Sequence, residues 1–255
     1  MRIGFAGDWH GNRQWAIAAT QALIAAGAQV IHHVGDFGLF RSSGIGDLVL
    51  PELLEPILAG SDITLYITPG NHEDWGWIYQ NLSDREFAVT PHIRLIRPGD
   101  VVEHGGIRVL SVGGAPSIDC AYRHRVFRDW WPQEVIQPEE YHRALGQTGE
   151  FDVLVTHDVF LAHAPGVAAQ IAGNPYRFTA DDLAYASTQQ GALQTLVEQV
   201  RPRIWVHGHY HIADYAEASP TGGATVSLGR DGDAAGNLWI WDSGTDERSF
   251  VRLNE

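Results

Sequence analysis

The sequence predicts an α/β fold, one domain over residues 1 to 255 built on two β-sheets. Three observations carry this. Through the first third of the chain, apolar runs of strand length alternate with polar loops and stretches of helical composition. From about residue 93 the pattern changes to short strands separated by glycine-bearing turns. Strand and helix return near residue 151, and no internal repeat or linker separates these blocks.

Arg2 to Ala6 alternate and then run apolar, as a short buried strand does, and the polar loop GDWHGN follows. Residues 13 to 26, RQWAIAATQALIAA, are rich in helix formers, and Gly27 suits the helix C-cap. Val30 to Val34 make the next strand, ending at Gly35 and Asp36. The stretch GDLVLPELLEPILAG is helical in composition but contains Pro51 and Pro56, which predicts a broken or kinked helix. Ile63 to Ile67 is a third apolar strand and runs into TPGNHE. IRLIRPGDVVEHGGIRVLSVGGA reads as antiparallel strands joined by PGD and HGG turns. Residues 117 to 150 read as irregular, and FDVLVTHD restores strand and loop. DDLAYASTQQGALQTLVEQV reads as one long helix leading into RIWVHGHYH, and the remainder as strands with glycine turns.

Composition bounds the function. With 44% apolar residues the chain can bury a substantial core. The single cysteine, Cys120, excludes an internal disulfide and fits a reducing compartment. MRIGFAGD lacks the apolar core of a secretory leader, and no stretch approaches the roughly 18 apolar residues of a membrane span. A soluble, cytoplasmic protein without membrane association is expected. The net charge of -14 argues against broad attraction to nucleic-acid phosphates. A phosphate-bearing small substrate stays open, because bound divalent cations reverse the local sign.

The 13 histidines are more informative, since several fall beside Asp, Asn or Gly at strand ends. The loops are GDWHGN, GDFG, GNHE, THD and HGHYH. In Asp8-Trp9-His10 and His209-Tyr210-His211, side chains two apart point to one side of an extended chain and can converge on one ion. Trp9, out of phase, is expected to pack away from it. Glycines 7, 35, 70 and 208 permit tight turns or close approach. Carboxylate, amide oxygen and imidazole together suit Mn²⁺, Fe or Zn²⁺, and one cysteine rules out an all-thiolate site. A lone Asp-x-His at a strand end is usually a structural turn; five such loops in alternating strand and loop context are hard to attribute to chance.

The order DxH, GD, GNH, H and GHxH, from residue 8 to residue 211, resembles the calcineurin-like metallophosphoesterase family. The resemblance implies a four-layer αββα sandwich with two mixed β-sheets and two metals at the sheet ends. It implies that Asp8, His10, Asp36 and His211 hold one metal, with Asp36 bridging to a second completed by Asn71, His157 and His209. His72 would face the phosphate without ligating. Such a pair of cations, about 3.5–4 Å apart, activates a bridging hydroxide and clamps phosphoryl oxygens during in-line attack. His72 would stabilise the charge on the phosphorane or protonate the leaving oxygen. The protein phosphatase branch reads GDxxDRG, whereas this chain reads GDFGLFR, with Leu39 and Phe40 at the Asp and Arg places and Arg41 one position late. That departure argues against a phosphoprotein phosphatase. Glu73 or Asp74 is a candidate support for His72.

Phosphate-binding arginines are expected in AYRHRVFRDWWPQE, with Arg123 and Arg125 as substrate-binding candidates and Arg128 beside them. Trp130 and Trp131 are expected to anchor that segment in the core. His32 and His33 are expected in the core rather than as ligands, and His207 behind a ligand. His163 is expected outside the site and Asp158 as a loop cap. His92, His104 and His142 lack supporting context and read as surface residues. The expected function is a dinuclear phosphoesterase acting on a mono- or diester of a small phosphorylated substrate. The alternatives are a nuclease, and a non-catalytic metal-binding scaffold with the same fold.

Overall fold

The computed structural model describes residues 1–39, 49–82, 84–126, 130–233 and 235–253, with the backbone alone at 124–126. Its first half contains β1 (Arg2–Ala6), α1 (Arg13–Ala25), β2 (Val30–His33), α2 (Val49–Ser61), β3 (Leu65–Ile67), α3 (Trp75–Asn81), β4 (Glu86–Thr90), β5 (Ile93–Ile96), β6 (Val101–His104) and β7 (Ile107–Val112). The second half adds α4 (Cys120–Val126), α5 (Pro138–Gly146), β8 (Val153–Thr156), α6 (Pro165–Gly173), α7 (Ala180–Ala186), α8 (Gln190–Val200), β9 (Ile204–His207), β10 (Asp214–Ala216), β11 (Ala224–Ser227), β12 (Leu238–Asp242) and β13 (Arg248–Val251).

Two mixed sheets result. One runs β13-β12-β1-β2-β3-β5-β4, the other β10-β11-β9-β8-β7-β6. Strands β1, β2, β3 and β5 are parallel in the first, and β7, β8, β9 and β11 in the second. Alternation along the strands assigns the layers. Ile3 and Phe5 of β1 meet Val153 and Val155 of β8 and Ile204 and Val206 of β9 in a core between the sheets. Ile31, Leu65 and Ile67 turn outward against Leu23 of α1, Leu54 and Leu58 of α2 and Ile78 of α3. Leu154 and Trp205 turn to the opposite outside, against Ala144 of α5, Val167 of α6 and Leu193, Leu196 and Val197 of α8. The layers are therefore helix, sheet, sheet, helix, as the family resemblance implied.

Four elements differ from the sequence expectation, each for a local reason. Helix α2 runs continuously through Pro56. Pro51 sits in its first turn, where an N–H has no intrahelical acceptor, and Leu50, Leu54 and Leu58 keep the helix seated in the core. The long helix after residue 180 is two helices. Between them Ser187 and Thr188 donate their hydroxyls to the carbonyls of Ala184 and Tyr185, competing with the helical backbone. The stretch 117 to 150 holds α4, α5 and a 3₁₀ turn at Pro132–Glu134, with Glu140 closing a capping box on Gln137. Finally, the PGD turn does not join a hairpin: it carries the chain from β5 in one sheet to β6 in the other, and Arg97 pairs with Asp100 across it (2.5 Å).

Candidate metal centre and substrate cavity

The loops that carry the candidate ligands leave the C-terminal ends of parallel strands in both sheets, where the sheets meet: Asp8 and His10 after β1, Asp36 after β2, Asn71 and His72 after β3, His157 after β8, and His209 and His211 after β9. Trp9 is fully buried against His33 and Phe37, pointing away from His10 as its phase requires. Asn12 caps α1 and also donates to Asp231, which fixes the loop between β1 and α1 (2.8 Å).

The structure brings all seven candidate ligands together. His211 Nε2 lies 3.2 Å from Asp8 Oδ2. Asp36 Oδ2 lies 3.6 Å from His10 Nε2 and 3.3 Å from His157 Nε2. Asn71 Oδ1 is 2.9 Å from His157 Nε2 and 3.1 Å from His209 Nδ1. Two donor groups with metal-binding spacing, Asp8–His10–His211 and Asp8–Asp36–His157, share Asp8; a third joins His10, Asp36 and His72. Asp36 thus stands between the two halves of the cluster.

Hydrogen bonds test whether a cation fits. His157 Nδ1 must donate to the carbonyl oxygen of Val34 (2.9 Å), so a neutral ring presents a lone pair at Nε2. That lone pair faces the oxygens of Asn71 and Asp36, which are acceptors too. Only a proton or a cation relieves such an arrangement. Burial alone would lower the His157 pKa, yet the charges of Asp36 and Asp8 and the Val34 carbonyl outweigh it and raise it to about 10. His10 behaves alike: against burial, Asp36, Asp8 and Asp231 raise it to about 9. Its Nδ1 is 2.9 Å from Asp231 Oδ1, which orients Nε2 toward Asp36. Burial works to raise Asp36, but His157, His72 and His10 hold it well below the usual carboxylate range. The donor set is built for positive charge.

The backbone around these residues is strained in the same places. Among the described residues, nine non-glycines have positive φ, and His10, Asp36, His209 and His211 are four of them. Of the motif glycines, Gly35 has a positive φ (116°), whereas Gly7, Gly70 and Gly208 serve close approach alone. A Cβ on Gly208 would overlap Oδ1 of Asp8, and one on Gly70 would overlap Oδ1 of Asp36. Neither glycine has a positive φ, so the space alone excludes a side chain. Gly208→Ala is expected to push the Asp8 carboxylate aside and weaken Mn²⁺ binding about 10- to 100-fold, the range for losing a group that orients a ligand. Titration calorimetry with Mn²⁺ checks this, and an unchanged affinity contradicts it.

Two buried glutamates hold the loops: Glu73, a sequence candidate for supporting His72, and Glu134, which sequence reasoning did not assign. Glu73 is fully buried and accepts N–H bonds from Asp36 (3.0 Å), Gly38 (3.0 Å) and Gly70 (2.5 Å), tying the β2 and β3 loops together. It therefore supports the loops around His72 rather than its ring, and Asp74 instead caps α3. Glu134, also fully buried, accepts from the N–H (2.8 Å) and hydroxyl (2.7 Å) of Ser117, from Trp130 (2.9 Å) and from Tyr185 (3.0 Å). Ser117 in turn accepts from Asn71 Nδ2 (2.8 Å), which turns the Asn71 carbonyl oxygen toward His157 and His209.

Arg123 joins this second network. It is 1% exposed, its guanidinium bonded to Ser117 and paired with Glu134 at 3.4 Å. Its other terminal nitrogen donates to the Asn71 carbonyl oxygen at 3.5 Å, so buried partners, Glu134 among them, hold the guanidinium. The Arg125 side chain lies outside the described residues, as do Arg41, Phe40 and Arg128. Leu39, at the place of the phosphatase branch's carboxylate, is buried in the core beside Trp75.

The remaining histidines have structural partners. His33 packs edge-on against Trp9 and Phe37. His32 stacks between Phe5 and Tyr66, and its Nε2 is 2.9 Å from that of His104. His104 is consequently buried, not at the surface: residue 104 ends β6 on the face toward the first sheet. His92 pairs with Glu55 (2.7 Å), and His163 packs on Phe160 and Trp205. His207 bonds to Ser227 (2.5 Å) and to the Gly208 carbonyl (3.0 Å), so it steadies the turn before His209. Asp158 accepts from Val159, Gln189 and Tyr210, the expected loop cap.

The cluster opens into a cavity of about 530 Å³ whose wall includes Asp36, Asn71, His72, His209 and His211. Arg230 and Asp233, from the loop after β11, line it as well. Arg230 was not among the sequence candidates, since nothing in LGRDGD marks it; the pairing of that loop with Asp8 brings it there.

A fold of this layering with such a cluster defines a class of metal-dependent esterase, and comparison with known proteins identifies it. A family profile described as calcineurin-like phosphoesterase matches residues 1–213, and the chain belongs to that family. It is a metal-dependent phosphoric ester hydrolase. The TT1561 protein of Thermus thermophilus is similar in structure, with 11% identity, 99% of each chain covered and a TM-score of 0.56. A dimetal phosphatase from Danio rerio has 10% identity over 100% of this chain and 99% of its own, with a TM-score of 0.53. GAP50, the anchor in the inner membrane complex of Plasmodium, has 12% identity over 100% of this chain and 89% of its own, with a TM-score of 0.52. At such identities these three establish the fold alone. No curated protein matches the sequence. Among the described residues, no helix is long and apolar enough to cross a membrane.

Proposed function

We propose that this chain hydrolyses a phosphate mono- or diester of a small molecule on a centre of two divalent cations, Mn²⁺ or Fe, with Zn²⁺ as the third candidate. The observation that carries the proposal is the set of three overlapping donor groups, joined through Asp8, His10 and Asp36, opening into a cavity of small-molecule size. Asp8, His10, Asp36 and His211 would hold one cation, and Asp36, Asn71, His157 and His209 the other. Bound there, two cations supply an acidified water as nucleophile and positive charge for the phosphoryl oxygens.

The protein's own groups then bind and orient. His72, on the cavity wall and 31% exposed at its side chain, has its main-chain N–H bonded to Asp36 (2.8 Å). Burial lowers its pKa, and Arg123 and His10 add to this against Asp36. At neutral pH it is an uncharged imidazole, suited to donate one N–H to a phosphoryl or leaving-group oxygen. Arg230 is the cation placed to meet substrate phosphate from the open side.

The test is metal analysis followed by turnover with Mn²⁺ on phosphomonoesters, cyclic and linear diesters, and polynucleotides. Small esters should be cleaved and long strands left largely intact, in keeping with a charge of -14. Preferential cleavage of polynucleotides would instead support the nuclease, and bound metal without turnover the scaffold. Chelation should abolish turnover and Mn²⁺ restore it. Adding Mn²⁺ at 100 times its dissociation constant should also stabilise the fold by about 2.7 kcal/mol for each ion bound, read as a rise in Tm.

A further inference from the structure

Part of the cavity wall is built from the segment that joins α6 to α7 and from the helix residues beside it. Ile171, Tyr176, Phe178 and Leu183 present an apolar and aromatic surface in the same cavity as the cluster residues Asp36, Asn71, His72, His209 and His211. Tyr176 is 71% exposed, the highest value among the exposed large hydrophobic residues described, so it stands in the opening rather than packing into the core. Its ring lies 6.0 Å from that of Phe178, the two inclined at 58°.

This exposure is built in. Asn174 ends α6 in the left-handed region (φ 39°), and its side chain bonds to both the N–H and the carbonyl of Phe178 (2.9 Å each). The main-chain N–H of Arg177, with φ 58°, donates to the Asn174 carbonyl at 3.0 Å. The loop is a closed turn tied at its base, and Tyr176 and Phe178 are carried on it at fixed places. Beside them Gln170 lines the cavity, and its side-chain amide has no hydrogen-bond partner among the described residues. An amide offers a donor and an acceptor in one plane, which matches the edge of a heterocyclic base.

Resting on the phosphoesterase function above, we propose that this wall is a subsite for the planar aromatic group of the substrate, and that the substrate is a nucleotide or a nucleotide ester. The phosphate lies at the cluster and the base lies against Tyr176 and Phe178 with its edge toward Gln170. The volume of about 530 Å³ suits one nucleotide. A long strand would need a basic groove continuing from the cavity, and the acidic balance of the chain disfavours it.

The test is calorimetric binding of AMP and ribose 5-phosphate to the Mn²⁺-loaded protein, with turnover of bis(p-nitrophenyl) phosphate and of the phosphomonoesters measured on the same preparation. AMP should bind at least about tenfold tighter than ribose 5-phosphate, the scale of one base stacked on an aromatic ring. Tyr176→Ala with Phe178→Ala should shrink that ratio to within about threefold, whereas Tyr176→Phe with Phe178→Tyr should retain it. The second pair keeps the rings and controls for damage to the loop. Equal binding of the two phosphates in the unaltered protein, or a ratio that survives the alanine pair, overturns the subsite while ester turnover still stands. No turnover of any ester together with no binding of either phosphate overturns the esterase function, and the subsite with it.

Discussion

Asp36→Asn is expected to reduce metal-dependent turnover by at least ~10³ and to lower bound metal from two ions per chain to one or fewer. The carboxylate stands between both halves of the cluster, with Oδ2 at 3.3 Å from His157, 3.6 Å from His10 and 4.0 Å from His72. Its other oxygen accepts the His72 main-chain N–H, a bond that the amide oxygen of asparagine can keep. The substitution therefore removes one negative charge and little shape. In the metal-free protein that charge, with Asp8, holds His157 in its protonated form, so its loss leaves a neutral ring and not an unpaired buried ion. The metal-free variant should accordingly melt near the parent protein, while the rise in Tm on adding Mn²⁺ should be much smaller. Elemental analysis, turnover of an aryl phosphate ester and melting curves with and without Mn²⁺ read these effects separately. Full turnover with two bound ions would remove Asp36 from the centre.

The candidate ligands were legible because metal binding needs rare residue types in a restricted place. Asp8, His10, Asp36, Asn71, His157, His209 and His211 each follow an apolar run, and the fold turns that one-dimensional coincidence into convergence at the strand ends. The groups that aim them were not legible. Glu73 works through backbone N–H groups of Asp36 and Gly38, which any sequence possesses, so no residue pattern advertises the contact. Asp231 orients His10 from 221 positions away, and Ser117 turns Asn71 from 46 away. Strand periodicity revealed β1, β2, β7, β8 and β9, whose alternate residues face different cores. Helix ends were less legible: Ser187 and Thr188 read as tolerable in a helix until their hydroxyls are seen on the carbonyls of Ala184 and Tyr185. Arg123 shows the cost of reasoning from charge alone, since a guanidinium serves a buried carboxylate as readily as a phosphate.

His72→Ala is expected to lower kcat by about 10²–10³ while leaving both ions bound, the loss typical of removing one donor to developing charge. Its side chain lines the cavity and its Nε2 is 4.0 Å from Asp36 Oδ2, close enough to the cluster to reach a phosphate held there. Two services are open to the ring, and leaving groups separate them. If the N–H goes to a phosphoryl oxygen, the loss should be similar for an aryl and an alkyl ester. If it goes to the leaving oxygen, the alkyl ester should suffer far more, because an alkoxide needs a proton and a nitrophenolate does not. The lowered pKa makes the ring an uncharged donor at neutral pH, which favours the first outcome. His72→Asn, which returns an N–H on a shorter side chain, should then recover part of the loss for both esters alike. Measured kcat within about threefold of the parent for both substrates would be far below the cost of a lost donor and would take His72 out of the chemistry.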